Sequence, residues 1–374
     1  MSPSAPPRVT QRDLARLAKV SHTTVSLALR NHPSIPAQTR ARITRLARKH
    51  RYQPDPMLDA LNAYRVSRTP ARFQGTIAWL TNFETAGAWR GMIQAEGYFL
   101  GAQEQAQRLG YKLEEFWLGD PLLTARRSTH VLQARGVRGL IVAPLPVPHG
   151  ELALAWDRFS AVALGYSLAR PQLHVVMNHQ FRNMRHLVQQ LHTLGHRRIG
   201  FAMPTTTDDR VDHNYLGGFW IAQQELPPGA ARLAPWLAAT FAEAVFRAWA
   251  RKTRPDAVIT SASWAHQVID WFGAEGRRVP RDVGVAVAST PFGDHTISGI
   301  DENVRAVGAM AVDTVVGMIH RNETGIPTTP WRLLAEGTWF KGKTVRIRQP
   351  ARRRPILNGF EICSESSGFA PNVT

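Results

Sequence analysis

Cysteine is almost missing: the 374 residues contain one, Cys363. No disulfide frame and no thiolate metal cage can be built from it, and a reducing compartment is the expected setting. No uncharged run of 18 residues occurs, so no membrane-spanning helix is expected. The opening residues, MSPSAPPRVT, lack the apolar stretch of a secretory leader, which places the expected protein in the cytoplasm. A Walker loop and a G-x-S-x-G elbow are also missing. His186 and His192 lie six apart, off a common helical face. DDRVDH (Asp208, Asp209, Asp212, His213) does cluster metal-capable groups, but it has no matching His or carboxylate pair nearby in sequence. Together these gaps argue against an enzyme, a metal site or a bound cofactor.

Acid is scarce too, with 28 Asp and Glu against 46 Lys and Arg and a net charge of +18. The imbalance is local. The first 72 residues hold 14 Lys and Arg against 3 Asp and Glu, a net of +11. Such a concentration is the footprint of phosphate binding. Within it, Val9 to Arg51 carries apolar residues in three blocks at helical spacing: Leu14, Leu17 and Ala18; Val25, Ala28 and Leu29; Ile43, Leu46 and Ala47. Thr10 caps the first block, with Asp13 in the first turn. Lys19 and Val20 form a turn, Ser21 caps a second helix to about Leu29, and Pro36 starts a third that carries Arg40, Arg42, Arg45, Arg48 and Lys49.

This is helix-turn-helix spacing. Val25 and Leu29 point inward, so Thr23, Ser26, Leu27 and Arg30 are expected on the opposite face, with His22 at the exposed start. Short polar groups, one thymine-sized apolar group and a cation suit base edges in a major groove and the flanking phosphates. A plain three-helix bundle with a solvated basic face shares the pattern; the charge concentration favours the DNA-binding reading.

From Gly75 onward short apolar runs alternate with amphipathic segments. GTIAWL, KLEEFWL, GLIVAP and AVALG are expected strands, with helices near 91–109 and 124–134 and an amphipathic piece from Glu151 to Trp156. A second series is expected to start at HVVMN and to include RIGFAMP, DAVIT and DVGVAVA, with helices near 181–194, 213–224, 241–252 and 264–273 and a last long helix near 304–319. Strand and helix in alternation predict parallel sheets with right-handed crossovers. The expected fold is thus a small all-α helix-turn-helix head plus an α/β core of two doubly wound lobes. The segments are 8–54 for the head, 55–74 for a hinge helix and linker, 75–340 for the core and 341–374 for a basic, polar tail expected to be disordered.

The head words VTQRDLARLAKVS, TTVSLAL, TRARI and RYQPDPMLDAL resemble the lactose/galactose-repressor type of bacterial transcription regulators, in order and without gaps. The body words GVRGLIVAP, LHTLGHRRIGFAMP, YLGGFWIA, RRVPRDVGV and GIDENVRAVGAMAVDTVV resemble that family's effector-binding core, which is similar to periplasmic sugar-binding proteins. The resemblance covers about residues 8 to 340. It implies a homodimer on a near-palindromic double-stranded DNA operator, allosteric control by a small, sugar-like molecule, and repression as the default outcome.

DNA-contacting candidates are Thr10, Ser21, His22, Thr23, Thr24, Ser26, Leu27, Arg30, Tyr52 and Leu61. Asp55 followed by Pro56 is a helix start, and the resemblance makes that helix a hinge that folds over DNA, with Leu61 wedged into a minor-groove step. Leu27 stands where the lactose repressor has a base-reading arginine, so no operator sequence carries over.

Ligands of doubly wound lobes bind at the carboxyl ends of strands. The effector candidates are therefore Asn82, Phe83, Tyr166, Asp209 and His213 in the loop from Thr205, Ser261, Trp264 and Thr290. The family's effector-binding arginine is matched by His213, and its acidic pair after the last parallel strand is replaced by ASTPFG. A small-molecule sensor with only non-specific DNA affinity is the rival reading.

Overall fold

A computed structural model describes residues 9–29, 34–50, 52, 73–294 and 296–348. Arg30, Leu61, most of the expected linker and the chain beyond 348 lie outside the described residues.

The head forms α1 (Gln11–Ala18), α2 (His22–Leu29) and α3 (Ala37–Lys49). α1 starts where the sequence places its cap. Thr10 and Asp13 form a reciprocal capping box, Thr10 accepting from the Asp13 N–H and Asp13 accepting from the Thr10 N–H. Lys19 takes the left-handed conformation that turns the chain. Ser21 then accepts from the Thr24 N–H at 3.0 Å, capping α2. Leu14, Val25 and Ile43 are fully buried where the three helices meet.

The body has two lobes. In the first, β1 (Gly75–Thr81), β2 (Tyr111–Trp117), β3 (Val137–Val142), β5 (Ser160–Leu164), β7 (His174–Asn178) and β13 (Arg332–Ala335) form an all-parallel sheet in the order β13-β7-β5-β3-β1-β2. β4 (Gly150–Glu151) and β6 (Leu168–Arg170) pair separately. In the second lobe, β8 (Ile199–Pro204), β9 (Trp236–Ala238), β10 (Ala257–Thr260), β11 (Gly284–Val287) and β12 (Ser298–Asp301) are parallel. The edge strand β14 (Thr338–Phe340) runs antiparallel, in the order β14-β12-β11-β10-β8-β9. Lobe one carries α4 (Ala95–Arg108), α5 (Ala125–Ala134) and α11 (Val304–Arg321). Lobe two carries α6 (Gln180–Thr193), α7 (Thr205–Asp209), α8 (Asn214–Glu225), α9 (Glu243–Thr253) and α10 (Ala262–Ala274). The central strands are buried on both faces, which is why β1, β5 and β8 read as continuous apolar runs, whereas the edge strand β2 alternates.

Three expectations need correction. HVVMN closes the first sheet rather than opening the second lobe: β7 pairs with β5 and β13, and the chain changes lobe only after it. Glu151 to Trp156 is not one continuous amphipathic piece; Glu151 belongs to the short β4, and Trp156 begins a three-residue 3-10 turn, buried against lobe one. Residues 341–348 pack on lobe two, with Val345 buried in its core and the Thr344 hydroxyl donating to the Val285 carbonyl at 2.6 Å. One buried side chain and a hydrogen bond at the sheet are enough to order a segment whose composition alone reads as tail.

The chain crosses between the lobes at 178–180, 302–303 and 336–337, and the three crossings are tied side by side. Asn178 donates its amide to the Glu302 carbonyl, Asn303 donates to the Glu336 carbonyl at 2.9 Å, and Asn183 accepts from the Gly337 N–H at 2.8 Å. Close to this hinge α4 and α11 touch backbone to backbone, because a Cβ on Gly101 would overlap the Arg305 carbonyl and one on Gly308 the Tyr98 carbonyl. In the LGHRRIGF word, Gly195 turns left-handed after α6. Arg197 donates to the His192 carbonyl at 2.7 Å and Arg198 to the Arg254 carbonyl at 2.9 Å, so two cations cap two helix ends. Asp256 anchors this corner. Burial alone would raise its pKa, but its hydrogen bonds with His196 and the Arg197 and Arg198 N–H groups outweigh that and hold it at about 2.

Candidate DNA-binding head and interlobe cleft

On α2 the exposed side chains are His22 and Thr23. Thr24 is half-buried, its hydroxyl 2.8 Å from that of Ser21, and Ser26 is half-buried as well. Thr10 and Ser21 are exposed and occupied as helix caps. Leu27 differs from expectation: it is half-buried and packs on the head core beside Leu29, because the small α2 offers its core two residues per turn. Tyr52 also packs on that core, its N–H donating to the Ala47 carbonyl at 2.9 Å. Arg12, Lys19, Arg42, Arg45, Arg48 and Lys49 are exposed, and Asp13 is the one carboxylate among the described residues of the head. A surface so unbalanced attracts a polyanion in a salt-dependent way.

Between the lobes lies a cleft of about 360 Å³. Its walls come from the carboxyl ends of strands in both lobes, where doubly wound folds place ligands. Of the eight effector candidates, Tyr166 after β5 and Ser261 after β10 line it. The other six candidates sit elsewhere. Asn82 is outside the cleft lining, and Phe83 packs on lobe one while its carbonyl accepts from Trp117 at 2.8 Å. Trp264 is core: it is 6% exposed and stacked 5.1 Å from Trp236, because the Ser261 cap turns α10 inward. Thr290 opens on a neighbouring surface hollow with Phe292 and Arg305. Asp209 and His213 lie at the rim. His213 is left-handed, exposed and bound to the buried Asp208 at 2.9 Å, a hydrogen bond that raises its pKa. Asp208 also accepts from the Leu216 N–H at 2.9 Å, so DDRVDH is a capped turn. Among the described residues no three metal-capable side chains converge.

The polar groups that do converge are Gln94, Tyr98, Arg210, Tyr215, Ser289 and Glu302. Signals for some of them were present in the sequence. Arg210 sits in the loop already singled out, Ser289 in the ASTPFG word, and Glu302 is an acid between a buried strand and an apolar helix. The tyrosines gave none, since an aromatic at helical spacing reads as core. Glu302 is 5% exposed and accepts from the Tyr215 hydroxyl at 3.1 Å. Burial raises its pKa to about 7, against the opposing hydrogen bonds of Ser289 and Tyr215, and Asp301 adds to the rise. Tyr98 and Tyr215 stay neutral phenols, raised well above the ordinary value by burial first and by Glu302 second. Tyr98 donates to Asn178 at 2.7 Å, linking the cleft to the hinge.

Several polar contacts hold the lobes together across the cleft. Gln94 donates to the Ser289 hydroxyl at 2.6 Å, Arg210 to the Pro146 carbonyl at 2.8 Å, and His149 meets Asp209 at 2.9 Å. The cleft is thus walled by two bodies, joined at three crossings and latched by a few polar bonds.

The family model described as bacterial regulatory proteins, lacI family, matches residues 10–55, and the model described as periplasmic binding protein-like domain matches 188–338. A probable HTH-type transcriptional repressor, ExuR of Bacillus subtilis (strain 168), is 51% identical over 47 residues, 13% of this chain and 14% of that protein. The chain therefore matches only about a seventh of that relative's length. Among solved structures, a complex of the transcriptional regulator CelR with cellobiose is 19% identical over 90% of this chain and 100% of the other, with a TM-score of 0.52. A lac repressor dimer bound to operator and the anti-inducer ONPF is 18% identical over 91% and 100%, with a TM-score of 0.52. A putative LacI-type regulator from Rhizobium etli is 16% identical over 72% and 99%, with a TM-score of 0.56. At these identities the structures establish a shared fold. The chain thus joins a head that matches the lacI family of bacterial regulatory proteins to a body that matches the periplasmic binding protein-like domain.

Proposed function

We propose that the chain is a cytoplasmic transcriptional regulator, repressing by default. It binds a near-palindromic operator as a homodimer and is controlled by a small polar, sugar-like effector in the interlobe cleft. The observation that carries this is the pairing of a capped helix-turn-helix, in which one carboxylate faces a wealth of cations, with a hinged and polar cleft. Two heads related by two-fold symmetry would read two half-sites related the same way. His22, Thr23, Ser26 and Arg30 would read bases, Thr10, Ser21, Thr24, Leu27 and Tyr52 would lie along the contact, and Leu61 would enter the minor groove. The effector works by preferring one lobe arrangement, and that preference is the coupling free energy felt at the DNA. The lac repressor–operator and CelR–cellobiose complexes support the two halves of this reading.

The test is recovery of DNA fragments bound by the purified full-length protein, followed by a screen of sugars for release or strengthening of the complex. A shared inverted repeat is expected. A pure salt-dependent affinity with no common sequence would replace the regulator by a sensor.

A further inference from the structure

Arg210 is the one cation lining the cleft, and among the described residues no carboxylate lies within ion-pair distance of it. Other arginines of the body do meet carboxylates, as in Arg90–Glu115, Arg185–Glu225 and Arg321–Glu323. One guanidinium nitrogen donates to the Pro146 carbonyl at 2.8 Å, and another reaches only the Met92 sulfur at 3.9 Å. Its partners are thus a neutral carbonyl and a thioether. We propose, building on the cleft as effector site, that the effector is an anionic sugar, a carboxylate or phosphate on a polyhydroxyl frame, whose acid group pairs with Arg210.

Four further observations agree. Burial disfavours the charge on Arg210, so an incoming anion gains more there than at an exposed arginine. Among the described residues the only carboxyl in the lining is Glu302, which is pushed up to about 7, so that it is half-ionised at pH 7 and opposes an anion progressively less below that. The hydroxyls of Tyr215, Ser261, Ser263 and Ser289 supply the neutral donors and acceptors that sugar hydroxyls need. The volume, about 360 Å³, suits a small sugar rather than a long chain. Because Arg210 also bridges to Pro146 of the other lobe, an anion drawn to it would bear directly on how the lobes meet.

The experiment is calorimetric titration of the full-length protein with a panel of neutral aldoses, each run beside its uronic acid, its aldonic acid and its 6-phosphate. One acidic member is expected to bind at least ten-fold more tightly than its neutral parent, and which series it falls in separates a carboxylate from a phosphate. Arg210→Gln should abolish that preference, so that within this variant the acid binds no more than a few-fold more tightly than its neutral parent, and Arg210→Lys should retain part of it. Thermal unfolding of both variants checks that they fold. A neutral sugar that outcompetes all its acids, or an acid preference untouched in Arg210→Gln, would overturn the proposal and leave the cleft as effector site. Silence across the whole panel, neutral and acidic alike, would overturn the effector reading itself.

Discussion

Glu302 and Trp264 show how far a single side chain's role departs from its residue type. Glu302 is raised from 4.5 to about 7, so the folded state holds a proton that the unfolded chain releases. Its contribution to stability is complete below about 4.5 and is lost as pH rises through about 7. By linkage the loss is about 3 kcal/mol. Denaturant unfolding from pH 4 to 8 should show this decline in the native protein, and Glu302→Gln, which cannot ionise, should show a flatter profile over the same window. Trp264→Ala, by contrast, should cost about 3–5 kcal/mol by opening a hole beside Trp236 and Phe241. Measured under conditions where the variant is folded, its effector affinity should equal that of the native protein. The sequence placed Ser261 and Trp264 near the same strand end, and the direction each one faces separates them. Ser261 turns outward into the cleft, whereas Trp264, three residues on, turns into the core.

At the level of elements, local chemistry was legible wherever it was carried by neighbours in sequence. The Thr10–Asp13 box, the Ser21 cap and the left-handed turn at Gly195 were all visible in short words. Ser21→Ala should cost about 1 kcal/mol of head stability, read as a lower midpoint in thermal unfolding followed by circular dichroism. What stayed hidden depended on distant pairing: that HVVMN joins the first sheet, that Arg332–Ala335 returns to pair with it, and that Val345 reaches the second core. Gly308 belongs to this second kind. Nothing in its own helix requires it, yet α4 passes against its backbone. Gly308→Ala should destabilise lobe one by about 1–3 kcal/mol through overpacking, measured as a lower denaturant midpoint. A variant as stable as the native chain would mean that α4 and α11 can separate freely.

Across the whole molecule, charge and hinge have distinct jobs. In the proposed reading the cations concentrated in the head supply affinity for phosphate, and the cleft, with its latches and three tied crossings, registers an occupant. The two-part fold was readable because each part is written in its own period, helical in the head and strand–helix in the body. The cleft's chemistry was readable only in part, since Tyr98, Tyr215 and Glu302 come from segments far apart in the chain.

The measurement that bears most directly on this account is selection of genomic fragments by the full-length protein at about 0.15 M salt, where weak phosphate contacts are screened. The account predicts a shared inverted repeat whose retention falls at least ten-fold in His22→Ala or Thr23→Ala, with the loss confined to that sequence. Retention of unrelated fragments that fades uniformly as salt rises, with no common repeat and no effect of either substitution, would contradict it.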